Sequence, residues 1–243
     1  MTESTSAPTV PATKTSFWED VIDIFVQPVA VFRRRENTSP WPPMLFVAIS
    51  IAVIFFVTFN TLEPIFDAEF TRNAAKTMAK NPQMTPEMME RMRGFGVSTA
   101  KYGLGIIMLV TMFVIGAVSW LVGKAFDSKQ TFQAALVVAA WAYMPRILGS
   151  IIGGIQGLLM DPAKLTSPLS ISLSPARFMD PETTNQVLYQ FAGRFDLITI
   201  WVTVLLGIGF YVTGKVSKGK AVTFAIVMWL LGALPALRQA IMM

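Results

Sequence analysis

The chain has 243 residues, of which 53% are hydrophobic and 14% charged, against about a quarter charged in an ordinary soluble domain. It contains no cysteine and no histidine, which excludes disulfides, zinc sites of the usual kind, Cys or Ser/His nucleophile systems and any histidine proton relay. The 20 Lys and Arg outnumber the 15 Asp and Glu. With a mean hydropathy of +0.53, that excess reads as topology-setting or lipid-facing charge, not nucleic-acid binding.

Several runs of about 20 apolar residues can each cross about 30 Å of hydrocarbon as a helix, so the fold expected is an all-α integral membrane protein. Residues 1–15 are polar and rich in Ser, Thr and Pro, without the apolar core of a signal peptide, and read as a disordered tail. The segment 16–36, "SFWEDVIDIFVQPVAVFRRRE", opens with a capping-box pattern at Ser16 and Glu19. Phe17, Trp18, Val21, Ile22, Phe25, Val29 and Phe32 recur at helical spacing, with acids on the other side. Charge at both ends and Pro28 inside argue against spanning. An amphipathic juxtamembrane helix lying in the interface is expected, with Arg33, Arg34 and Arg35 meeting anionic headgroups at about 1 kcal/mol per basic residue. The plainer alternative is that this helix packs on the chain's own bundle.

A five-helix transmembrane domain is expected over 40–243, with spans near 42–62, 102–123, 132–160, 195–214 and 221–240. The short segments carrying Lys124 and Lys129, and Lys215, Lys218 and Lys220, share a side with the Arg33–Arg35 cluster. The longer loops have mixed charge. The bias of short, span-flanking segments therefore puts the N-terminus inside and the C-terminus outside. In the loop 63–101, Met84, Met88 and Met92 could offer thioethers to Cu(I). The preferred reading is an amphipathic helix resting on lipid or on the bundle, with methionine as adaptable apolar filler along one face, and no metal or cofactor is expected.

The third span holds the sequence's least lipid-compatible pair, Pro145 and Arg146. Arg146 lies about 21 Å along the helix from Phe132 at about 1.5 Å per residue. It shares a face with Ala142, Gly149, Gly153 and Gly157, small residues that let helices approach closely. A buried arginine needs a partner or water. The candidates are Glu63 at the end of the first span, Asp196 at the start of the fourth, and Asn60 as a neutral partner. Pro145 cannot donate to the Trp141 carbonyl, and a kink is expected there. The resulting polar cluster is read as a structural clamp, with a cavity for a substrate or headgroup as the competing reading.

Three stretches carry more than composition: "VIDIFVQPVAVFRRR" ahead of the first span, "TFQAALVVAAWAYMPRIL" in the third, and "FDLITIWVTVLLGIGFYVTGKVSKGKA" closing the fourth. In this order they resemble the Yip domain family of five-pass membrane proteins, over most of residues 16–240. The resemblance implies a cytosolic N-terminus and an extracytosolic C-terminus. Eukaryotic relatives are associated with Rab-type GTPases, vesicle formation and membrane shaping, partly through longer N-terminal regions. The region before the first span is short here, which resembles prokaryotic members and implies a bacterial cytoplasmic membrane. The function expected is a non-enzymatic scaffold, membrane-organising or partner-regulating module. Membrane lipids, a protein partner in the membrane and a second copy of the chain are its expected contacts. The alternative is a small transporter or channel subunit, such as an accessory subunit of an export system. Against it stand the scarcity of intramembrane polar residues and the lack of a discernible inverted repeat.

Overall fold

Proline sets many of the boundaries. It stands in the first turn of α2 (Pro28–Arg35), α3 (Trp41–Lys80), α4 (Pro86–Lys124) and α6 (Pro145–Leu159), where its missing N–H is one the helix does not use. The computed structural model describes residues 15–81 and 83–234, side chains at 75, 76, 79 and 80 excepted. The other helices are α1 (Phe17–Val26), α5 (Phe132–Ala142), α7 (Gln186–Gly193), α8 (Leu197–Gly214) and α9 (Lys218–Leu231). Three short 3-10 turns at Pro162–Lys164, Pro168–Ile171 and Pro175–Phe178 join α6 to α7. No strand occurs among the described residues.

Four helical segments are long and apolar enough to cross a membrane: Trp41–Ala74, Pro86–Lys124, Phe132–Leu159 and Leu197–Gly214. The third and fourth have 61% of their apolar window buried, against 28% and 17% for the first two. The α5–α6 and α8 segments therefore form the centre, and α3 and α4 form a flank that presents Ile49, Val53, Val57, Ile106 and Val110 outward. Of the expected span 221–240, the described part ends at Leu234, and the expected tail 1–15 lies outside the described residues except for Thr15.

Two expectations are corrected. The segment 63–101 is not a loop. α3 has 40 residues and α4 has 39, about 60 Å each at about 1.5 Å per residue, roughly twice the hydrocarbon thickness. The two helices continue past it as a paired extension, tied to each other by Arg93 and Asp67, with Arg72 Nη2 of α3 donating to the Thr166 carbonyl of the α6–α7 connection at 2.7 Å. Pro64 sits within α3 without ending it.

The second correction concerns 16–36. The expected capping box is present, with Ser16 accepting from the Glu19 N–H and the Glu19 carboxylate accepting from the Ser16 N–H. The helix does not lie flat, however. It breaks at Gln27, because Pro28 cannot continue the hydrogen-bond ladder, and α2 returns beside α1. Glu36 pairs with Lys215 at one end of α8, while Phe25 meets Trp201 near the other, ring centroids 5.2 Å apart. The hairpin thus runs alongside α8, with Ile24, Val31 and Phe32 fully buried in the main core.

Its return leg closes on Asp20, which is fully buried. Arg34 and Arg35 both ion-pair with that carboxylate, Arg34 also reaches Asp23 at 2.6 Å, and Arg35 donates to the Thr15 carbonyl. Burial alone would weaken the Arg34 charge, but hydrogen bonds from Asp23 and Asp20 outweigh it and raise its pKa. Two of the three arginines expected at headgroups are therefore ion-paired to Asp20 while staying partly exposed. Arg33 is exposed and forms no ion pair among the described residues.

Removing both cations strands a buried carboxylate. Arg34→Gln with Arg35→Gln is expected to cost about 3–5 kcal/mol, whereas Asp20→Asn, which strands only half-exposed arginines, costs about 1–2 kcal/mol. Thermal unfolding of the detergent-solubilised protein gives the order.

Candidate functional site

The third span is two helices. α5 ends at Ala142 and α6 begins at Pro145, with Tyr143 and Met144 between them in right-handed helical backbone. Pro145 has no N–H for the Trp141 carbonyl, but the Met144 N–H donates to that oxygen at 3.2 Å, and the Arg146 N–H donates to Tyr143 at 2.9 Å. A tight turn of 3-10 type thus takes up the break locally. The Trp141 oxygen that Pro145 cannot serve is thus satisfied by the backbone itself.

Beyond the break, α6 lies against α3 and parts from α8, which α5 packs closely. Gly154 and Gly157 make that possible. A Cβ at Gly154 would lie 2.7 Å from Thr58 Cγ2, and one at Gly157 would lie 2.5 Å from Leu62 Cδ2. Of the expected glycine stripe, only Gly157 belongs to this contact. Gly149 faces Ile198 of α8, while Gly153 faces the opened gap, with only Ile171 Cδ1 at 3.4 Å.

The gap is a cavity of about 510 Å³. Arg146, Gly149, Gly153 and Thr199 line it on α6 and α8, and Ile51, Phe55, Leu62, Leu104 and Met108 line it on α3 and α4. The segment 168–173 covers it. Arg146 Nη2 donates to Thr199 Oγ1 at 3.1 Å, and its guanidinium carbon lies 5.8 Å from the centre of the Tyr143 ring, within cation–π range.

Asp196 is buried and caps α8. Its Oδ1 accepts from the Thr199 N–H at 2.9 Å and from Thr199 Oγ1 at 3.3 Å, and its Oδ2 accepts from the Leu173 N–H at 2.8 Å. Thr199 therefore joins Asp196 to Arg146, and the two charged groups form no direct ion pair. Glu63 and Asn60 do not join the cluster. Both are exposed on α3, because Thr58 and Leu62 are the residues turned toward α6, and Glu63 is one step further round.

The sequence reading missed Thr199 and Tyr143. Asp196 followed three residues later by Thr199 at the start of an apolar run is a helix-start pattern that could have placed the threonine. It also missed Arg194, whose Nη2 donates to the Trp229 carbonyl at 2.8 Å while the Trp229 indole N–H donates back at 3.2 Å. On the α3–α4 extension, Met88 and Met92 are exposed on α4, and Met84 precedes the Thr85 cap, off the helix. Met84 therefore shares no helix with Met88 and Met92, and the three form no single stripe against the bundle. Met89 is the buried thioether.

A central kinked pair, a flank of long apolar helices and a cavity floored by one arginine define an all-helical integral membrane protein. The Yip1 domain matches residues 22–237, and the chain belongs to that family. It is 24% identical over 208 residues to "Membrane protein YknW" of Bacillus subtilis (strain 168), covering 85% of this chain and 83% of that one. No solved structure matches.

The two glycine faces are separable by substitution. Gly157→Leu overpacks the α3 contact and is expected to cost about 1–3 kcal/mol, while Gly153→Ala meets ordinary contact distance and stays close to the wild type in thermal unfolding.

Proposed function

We propose that the chain is a non-enzymatic, membrane-organising member of the Yip1 domain family, placed in a bacterial cytoplasmic membrane with its N-terminus inside. The observation that carries this reading is the α1–α2 hairpin. It is closed on itself through Asp20 and held to the bundle by Ile24, Val31, Phe32 and the Glu36–Lys215 pair, and its outer face leaves Trp18, Ile22 and Val26 exposed along successive turns. Such a wedge enters beside α8 from its Lys215 end and returns to that end, which is the geometry of an element that perturbs lipid packing. Arg33, the arginine left unpaired, supplies the anionic-lipid contact at the same end.

Five passes are part of the reading. α9 runs from Lys220, which pairs with Asp127 beside the basic turns, to Trp229, which bonds Arg194 just before α8. It thereby follows α8 back across most of its length. Extracytosolic placement of the α3–α4 extension and of the 161–194 cap follows from that orientation. A protein partner within the membrane, or a second copy of the chain, belongs to the same reading.

The absence of cysteine makes topology directly testable. Thr183→Cys should react with a membrane-impermeant maleimide on intact spheroplasts, and Ser217→Cys only after permeabilisation; the reverse pattern would overturn the orientation. For function, the purified chain reconstituted into vesicles containing phosphatidylglycerol should deform them. Trp18→Ser, Ile22→Ser and Val26→Ser together should abolish deformation at unchanged helix content, and equal deformation by both proteins would sink the membrane-organising role.

A further inference from the structure

The Arg146 cavity lies at the opposite end of the bundle from Arg33, and it carries a conclusion that does not depend on the wedge. A guanidinium has five N–H donors. Arg146 uses Nη2 on Thr199, with the Tyr143 face nearby. The nearest acid is already committed, both oxygens of Asp196 accepting from Thr199 and from the Leu173 backbone. Among the described residues no carboxylate forms an ion pair with Arg146. A cation in this position, deep in a membrane helix, is costly unless it meets an anion or water.

The remaining walls are amphiphilic in one direction. The α6–α8 side is polar at Arg146, Thr199 and the capping Asp196, whose two oxygens already accept backbone hydrogen bonds. The α3–α4 side is apolar at Ile51, Phe55, Leu104 and Met108, with Thr58 its one hydroxyl. The volume, about 510 Å³, falls in the range of small-molecule sites, roughly 300–1,000 Å³. Arginine matches the paired oxygens of a phosphate in a planar, two-bond geometry that lysine lacks. We propose that this cavity binds a phosphate-class oxyanion at Arg146, with the phosphodiester of an anionic lipid headgroup as the source its apolar wall favours.

The kink at Pro145 is what makes the site. Without it α6 would follow α8, as α5 does, and Arg146 would be pressed between helices. Gly153 leaves the wall without a side chain where the ligand would lie.

The test uses the full chain in the Arg33→Gln background, so that lipid at the other face does not register. Thermal stability in a neutral detergent is followed while phosphatidylglycerol, phosphatidylcholine or inorganic phosphate is titrated in. Phosphatidylglycerol should stabilise the protein saturably, and phosphatidylcholine should not. Arg146→Gln should weaken the phosphatidylglycerol effect by about tenfold or more, the loss of a charge-assisted hydrogen bond, with Arg146→Lys between the two. Should Arg146→Gln fail to fold, Gly153→Leu decides. It keeps the arginine, fills the cavity, and should abolish the effect while leaving the unliganded protein folded. Phosphatidylglycerol binding unchanged in Gly153→Leu overturns the site. Inorganic phosphate matching phosphatidylglycerol supports the oxyanion chemistry and overturns the lipid source.

Discussion

One missing N–H, at Pro145, sets the arrangement of the central helices. A membrane helix cannot leave backbone groups unsatisfied in hydrocarbon, so the break at Pro145 is closed within one turn, by Met144 onto Trp141 and Arg146 onto Tyr143. That repair changes the helix direction. Below it, α5 and α8 are pressed together; above it, α6 turns to α3, where Gly154 and Gly157 admit Thr58 and Leu62. The cavity is the space between those two packings, and Arg146, the first residue after the proline, is placed at its floor. The arginine and the proline are one device, since a polar residue there needs the room that the proline opens.

Pro28 does the same at the other end. It ends α1 after Val26 and lets α2 return, which brings Arg34 and Arg35 back onto Asp20, 14 and 15 residues earlier in sequence. The apolar side of the hairpin then enters the core through Ile24, Val31 and Phe32, with Phe17 against Trp141 at 5.5 Å. The hairpin therefore rests on α5 and α8, the two helices that stay together, and leaves α6 free of it. The closely packed half of the molecule is built around the basic end, and the open half lies beyond the kink.

Much of this was legible in the sequence, and the failures have a common cause. The all-helical membrane class, the Ser16–Glu19 cap and the break at Pro145 follow from local rules of hydropathy and hydrogen bonding, which need no partner. Arg146 facing the interior also followed, because a stripe of small residues marks a protein-facing side. What did not follow was which residue meets which. Glu63 looked suitable by level, but level along a helix says nothing of azimuth, and Leu62 rather than Glu63 turns toward α6. The Arg33–Arg35 run looked like one lipid-binding feature, yet successive residues on a helix point about 100° apart, so Arg34 and Arg35 reach Asp20 and Arg33 does not. The α3–α4 extension was hidden because its polar, mixed-charge sequence resembles a loop in hydropathy while retaining a continuous helical backbone.

Helices in lipid gain little from burying apolar surface against one another, so close packing and polar bonds must supply specificity. The glycines mark several of the close contacts. A methyl group at Gly116 would lie 2.7 Å from Leu136 Cδ2, at Gly123 2.9 Å from Phe210 Cε2, and at Gly157 2.5 Å from Leu62 Cδ2. These positions join α4 to α5 and α8, and α6 to α3, with no room for a side chain. Gly153 departs from that rule in the buried part of α6, since a methyl there reaches only an ordinary contact with Ile171. A bundle that uses glycine for close contact at these positions, and at Gly153 uses it beside open space and an arginine with no ion pair among the described residues, has a cavity formed by its helix geometry and not by a gap in otherwise close packing.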